Sequence, residues 1–152
     1  MTGFLGEYEV TIDPKGRFLV PAALKKQLAE EGAHQFVINR GLDFCLSLYP
    51  MESWDILYAK VNKLNDFDSK ASAFKRRFLN GASKIELDSA GRLLLPKTLM
   101  EYAKLEKDAV LVFVGDKIEI WDKIKYKEFF ESFSQEEFKI MANDVMGSKL
   151  DS

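Results

Sequence analysis

Ile12-Asp13-Pro14-Lys15-Gly16-Arg17-Phe18-Leu19-Val20-Pro21 returns, displaced by 75 positions, as Leu87-Asp88-Ser89-Ala90-Gly91-Arg92-Leu93-Leu94-Leu95-Pro96. Asp, Gly, Arg, a Leu two residues later, and Pro recur in register, and Leu24 recurs as Leu99. Outward from this stretch the likeness continues. Gly6 matches Gly81 and Val10 matches Ile85, while Phe36-Val37-Ile38 up to Gly41 answers Leu111-Val112-Phe113 up to Gly115. Leu46-Ser47-Leu48-Tyr49 then answers Ile118-Glu119-Ile120-Trp121 after a shorter hairpin loop. The chain reads as two related halves, 1–80 and 81–152, with no Gly/Ser-rich or Pro-rich linker between them. Each half is too small to bury a good core alone, so the expected packing is an internal pseudo-dimer.

Local chemistry predicts strand, tight turn, short strand, helix, hairpin and helix in each half. Tyr8, Val10 and Ile12 alternate with polar neighbours, as in a half-buried strand. In Asp13-Pro14-Lys15-Gly16, Asp can accept from the backbone two residues on, Pro presets φ, and Gly tolerates positive φ. Asp13, Gly16, Asp88 and Gly91 are thus the turn-forming residues. Pro21 and Pro96 stand where helices begin, Leu24 and Leu28 face inward, and Gly32 ends the first helix. Phe36–Ile38 with Cys45–Tyr49, and Val110–Val114 with Lys117–Trp121, form hairpins. Amphipathic stripes follow: Trp54, Leu57, Tyr58, Val61 and Leu64; Phe67, Ala71, Phe74 and Phe78; Tyr126, Phe129, Phe130 and Phe133. Ser134-Gln135-Glu136-Glu137 looks like a capping box that opens a last helix, with Phe138, Met141 and Val145 inward and Gly147 to Ser152 frayed.

Composition narrows the function classes. Cys45 is the only cysteine, which points to a reducing, cytoplasmic setting without disulfides. The longest apolar run, Ala109 to Val114, is too short to cross a bilayer, so no membrane partner is expected. Catalysis has little to work with. His34 is the only histidine; it reads as a residue leading into a strand, and Cys45 as a small core residue. Neither catalytic residues, nor a metal, nor a cofactor is expected, and no glycine-rich phosphate loop is present.

The net charge of −2 argues against a uniformly basic surface, so any binding to nucleic acid must come from local geometry. Arg17 and Arg92 follow the two turns directly, and Lys15 adds a cation on the first. A guanidinium fork suits phosphate oxygens or the O6/N7 edge of guanine. Equally, Arg17 could pair with Asp13, and Arg92 with Asp88, to stiffen the turns. Lys75-Arg76-Arg77 reads either as a phosphate patch or as the solvated face of an amphipathic helix.

The paired Asp-x-x-Gly-Arg…Pro motifs, Leu48-Tyr49-Pro50 before the Trp54 helix, and Gly81-Ala82-Ser83 before the second motif resemble the MraZ family of bacterial transcriptional regulators. The resemblance spans nearly the whole chain. It implies an α+β fold of two AbrB-like β-α-β-β half-barrels forming a pseudo-dimeric barrel with flanking helices. It also implies assembly into a homo-oligomeric ring, commonly an octamer. Such a ring binds repeated sites on double-stranded DNA near the division and cell-wall genes, placing it at the nucleoid. Regulation of its own operon, mostly as a repressor, belongs to the same expectation. By position, Lys15, Arg17 and Arg92 become the DNA-contacting residues. Ser89-Ala90 stands where the second loop would carry a basic residue, which predicts that Arg17 reads and Arg92 anchors. The rival readings are a structural or protein-interaction ring and an antitoxin-like AbrB relative.

Overall fold

The computed structural model describes residues 5–32 and 34–147. The first half supplies strands β1 (Glu7–Thr11) and β2 (Arg17–Leu19), helix α1 (Ala22–Glu30), strands β3 (Gln35–Arg40) and β4 (Leu46–Pro50), and helices α2 (Met51–Asn62) and α3 (Ser69–Leu79). The second supplies β5 (Ser83–Glu86), β6 (Arg92–Leu94), α4 (Lys97–Tyr102), β7 (Asp108–Val114), β8 (Lys117–Asp122), α5 (Lys123–Glu131) and α6 (Gln135–Met146).

Strand pairing is crossed between the halves. β1 pairs with β7, β5 with β3 and β4 with β8, giving an antiparallel sheet of order β1-β7-β8-β4-β3-β5. Among the described residues β2 pairs only with β6, in a two-stranded ribbon. The fold is α+β, but the sheet does not close into a barrel. β1 and β5 remain its edges because the chain turns away after each, and the hydrogen bonds of β2 and β6 go to each other.

Period-two alternation decides what is buried. Val10 and Ile12, Phe36 and Ile38, Leu46 and Leu48, Ala109 and Leu111, Ile118 and Ile120 project to one side. There they join Phe18 and Leu93 from the ribbon, Leu24 and Leu28 from α1, and Leu99 from α4 in one core. On the other side Val37 and Tyr49 lie under Trp54, Val61 and Phe78 of α2 and α3. Trp54 and Phe78 stack at 5.9 Å, and Trp121 meets Phe129 of α5 at 5.0 Å. Asn39, fully buried, donates from Nδ2 to the Phe78 carbonyl at 3.2 Å and ties the end of α3 to β3.

The helical stripes are less buried than their spacing predicts. Asp68 caps α3 by accepting from Lys70 and Ala71 N–H, so Phe67 precedes the helix and is 99 % exposed. Phe74, Tyr58 and Leu64 are also exposed, Leu64 lying beyond the end of α2. The capping box of Ser134 and Glu137 forms as expected, yet Phe138 and Val145 of α6 are 59 % and 82 % exposed, and Met141 is half-buried. An apolar periodicity fixes a helix and its face but does not supply the surface that covers it. Gly147 caps α6 at φ +60°, and 148–152 lie outside the described residues.

His34 is exposed just before β3, and Cys45 is wholly buried just before β4. Burial pushes the Cys45 thiol up to about 12, with the Glu119 charge adding to the effect. The folded protein should therefore resist an aromatic disulfide thiol reagent at pH 8 and release one equivalent of thiolate only after denaturation; rapid native labelling would contradict this burial. Phe18→Ala should lower the unfolding free energy by about 3–5 kcal/mol in urea titrations, because the ring fills the core beneath the ribbon.

Candidate nucleic-acid interface

Each turn is built by one aspartate. The Asp13 carbonyl accepts from Gly16 N–H at 2.9 Å, and Asp13 N–H donates to the Arg17 carbonyl at 2.8 Å. Its Oδ1 accepts from the N–H groups of Lys15 and Arg17, both at 2.9 Å, and Oδ2 accepts from Arg17 Nε at 2.8 Å. The second turn repeats this pattern. Asp88 accepts from Gly91 N–H at 3.0 Å, from Ala90 and Arg92 N–H at 2.9 Å, and from Arg92 Nε at 2.9 Å. Both carboxyls are held below the usual carboxylate value. The largest cause is the backbone N–H of the arginine, opposed by desolvation and reinforced by its side chain.

The expected pairing of Arg17 with Asp13 and of Arg92 with Asp88 forms, and it engages only one edge of each guanidinium. Nε is committed to the aspartate, whereas the Nη groups of Arg17 and Arg92 make no hydrogen bond or ion pair among the described residues. The clamp fixes the guanidinium plane and leaves its outer donor edge free, which is preorganisation for an anion or a base edge.

The ribbon brings the two arginines together. In β2–β6, Arg17 lies opposite Leu94, Phe18 opposite Leu93 and Leu19 opposite Arg92. Phe18 and Leu93 are buried, so Arg17, Leu19, Arg92 and Leu94 share the outer face. Diagonal positions on such a ribbon are roughly 8 Å apart. Leu19 and Leu94 are 61 % and 56 % exposed. The turns are locked at the two ends of the ribbon, where Leu95 N–H donates to the Gly16 carbonyl at 2.9 Å and Val20 N–H to the Gly91 carbonyl at 3.0 Å.

Gly16 and Gly91 adopt φ of +87° and +81° and are buried. A side chain at Gly16 would meet Met100 Sδ at 3.3 Å, and one at Gly91 would meet Lys25 Nζ at 3.1 Å. Lys25 and Met100 are counterparts in the repeat. The second turn, which carries Ala90 where the first carries exposed Lys15, thus receives its cation from α1 instead. Sequence reasoning misses Lys25. Its signal, a lysine facing methionine at the repeat displacement, acquires meaning only once α1 is seen beside the opposite turn. Leu19 and Leu94 stand out in the sequence only as repeat markers, although alternation within β2 and β6 already sets them beside the arginines.

Among the described residues there is no cluster of three or more His, Cys, Asp or Glu suited to a metal, and no helix is long and apolar enough to cross a membrane.

Comparison with known proteins decides the family. The family model described as MraZ protein, antitoxin-like, matches twice, at residues 4–77 and 78–146. The chain belongs to the MraZ family. A transcriptional regulator MraZ of Christiangramia forsetii is 46 % identical, over 97 % of this chain and 96 % of that protein. Those of Flavobacterium psychrophilum and Cytophaga hutchinsonii are 44 % and 42 % identical, over 97 % and 88 % of this chain and 94 % and 88 % of their own lengths.

The depressed aspartates make a pH-dependent expectation. Their contribution is complete above the ordinary carboxylate value of 3.8 and is lost as pH falls through the lower native values. The gap in urea midpoint between the parent protein and Asp13→Asn/Asp88→Asn should stay constant from about pH 5 to 8 and shrink below pH 4. A gap that persists unchanged at pH 2.5 would show that the charge of the clamp is irrelevant.

Proposed function

We propose that this protein is a sequence-specific, double-stranded DNA-binding transcriptional regulator whose β2–β6 ribbon enters the major groove. The observation that carries the reading is the pair of guanidinium groups, each fixed at Nε by its own aspartate and open at its outer edge, on one ribbon face. A two-stranded ribbon fits a major groove, and a bidentate arginine on guanine discriminates by about 1–3 kcal/mol. In this reading Arg17 addresses a base edge and Arg92 anchors the second turn, Lys15 and Lys25 hold phosphates at opposite ends of the ribbon, and Leu19 and Leu94 lie against thymine methyl groups. The regulator names of its relatives support this. The AbrB relationship accounts for the crossed pairing as the remnant of a homodimer, its two halves being 1–80 and 81–152.

The finer elements follow the family expectation. The exposed apolar faces of α5 and α6, with Phe130, Phe138 and Val145, pack against a second copy and build a ring, commonly an octamer. Neighbouring subunits then grip successive repeats of one operator beside the division and cell-wall genes, raising avidity by orders of magnitude when spacing fits. The protein acts in the cytoplasm at the nucleoid, mostly as a repressor of its own operon. It needs no cofactor and performs no catalysis.

Two measurements test this. Arg17→Ala should weaken binding to the DNA upstream of its own gene by roughly 5–150-fold, the equivalent of about 1–3 kcal/mol. Lys25→Ala should weaken it across all sequences and lower the salt slope by about 1. Full-strength binding by a folded Arg17→Ala protein sinks the proposal. By light scattering, Phe130→Glu/Phe138→Glu should convert the ring to smaller species; a ring that persists moves the interface elsewhere.

A further inference from the structure

Away from the ribbon, a second group of cations meets at the end of β3. Arg40 closes β3, Arg76 and Arg77 lie in the last turn of α3, and Tyr102 ends α4. With Ala73 and Asn80 they line an open cleft of about 400 Å³. The guanidinium carbons of Arg40 and Arg77 each lie 5.7 Å from the centre of the Tyr102 ring. The Tyr102 hydroxyl donates to the Gly41 carbonyl at 2.9 Å and accepts from Arg77 Nη2 at 3.4 Å. Arg40 Nη1 donates to the Asn80 carbonyl, and Arg76 Nη2 reaches Ser72 Oγ at 3.5 Å.

Among the described residues no carboxylate pairs with any of the three arginines. The neighbouring Lys75 is different, being bound to Asp66 at 2.8 Å. Of the basic run Lys75-Arg76-Arg77, only the two arginines therefore belong to the cleft. Guanidinium groups cannot shed their charge, so three that line one cleft without a carboxylate carry a mutual repulsion, which the Tyr102 ring and their neutral hydrogen-bond partners offset in part. The frame around them is held in place. Asn39 pins the Phe78 carbonyl, Phe78 stacks on Trp54, and Gly81 at φ +91° leaves room for Arg40, whose Nη1 would lie 3.1 Å from a Cβ there.

We propose that this cleft is a phosphate-binding site, in which Arg40, Arg76 and Arg77 share the oxygens of one phosphodiester or polyphosphate group. A tetrahedral phosphate accepts from three directions, whereas a planar carboxylate offers one bidentate edge to a single fork. The lining holds three guanidinium groups and no carboxylate, so the cleft suits an anionic head. The site is separate from the ribbon arginines and does not depend on their reading.

The experiment titrates the full chain with inorganic tripolyphosphate by calorimetry at low salt, while following the arginine Nε–Hε resonances. Saturable binding that shifts Arg40, Arg76 and Arg77, weakens steeply with salt and drops at least tenfold in Arg76→Ala/Arg77→Gln supports the site. Absence of binding, an undiminished affinity in that folded variant, or shifts confined to other arginines overturns it. If the double variant does not fold, the resonance shifts of the parent protein decide the matter alone. Arg17→Ala should bind tripolyphosphate as the parent does, even though its operator binding is expected to weaken; a parallel drop in tripolyphosphate affinity also overturns the assignment. Competition between a duplex from its own upstream region and tripolyphosphate would support the site with DNA backbone as the phosphate source. Independent binding of the two would support it with a free polyphosphate.

Discussion

Crossed strand pairing is the constraint on which everything else depends. β1 finds its partner in β7 and β5 in β3, while β2 and β6 have only each other among the described residues. A backbone N–H or carbonyl buried without a partner is costly, so neither half can satisfy its own first strands without the other present. The reciprocal bonds from Leu95 N–H to the Gly16 carbonyl and from Val20 N–H to the Gly91 carbonyl extend this mutual dependence into the turns. The face presented by the ribbon is therefore as rigid as the core beneath Phe18 and Leu93, rather than as mobile as an ordinary surface loop.

The aspartate clamp shows how one contact can shape a turn and orient a cation together. Asp13 divides its two oxygens, Oδ1 going to backbone amides and Oδ2 to Arg17 Nε. An exposed ion pair of this kind adds little to stability. Its effect is directional: it removes rotamer freedom from a long side chain before any ligand arrives, so less entropy is lost on binding. Asp88 does the same for Arg92, with matching distances to about a tenth of an ångström.

The elements that were legible in the sequence are those governed by short-range chemistry. Asp-Pro-Lys-Gly and Asp-Ser-Ala-Gly specify their turns through Asx hydrogen bonding and positive-φ glycine, and both hairpins and the Ser134 capping box follow from local pattern. Burial of Leu24, Leu28 and Leu99 could likewise be read from spacing. What depends on distant partners could not. Periodicity gave Phe67, Phe138 and Val145 an inward face, but nothing among the described residues covers them. Whether the sheet closes depends on where β1 and β5 send their hydrogen bonds, which no local motif encodes. Lys25 reaches Gly91 across a fold in which the residues stand far apart along the chain. Arg76 and Arg77 could not be told from Lys75 until Asp66 was seen to claim the lysine.

The repeat is not perfectly symmetric, and under the proposed ribbon reading the exchange of cations between its two ends would bear on the direction in which a duplex is read. A homodimer of identical halves must treat both strands of its site alike, which favours palindromes. A single chain that carries both halves is free of that obligation. With Lys15 riding on one turn and Lys25 reaching in beneath the other, the ribbon has a head and a tail. If the proposed interface holds, a protein of this build laid along tandem sites would distinguish forward from reverse. A row of such subunits would then impose one polarity on the whole array.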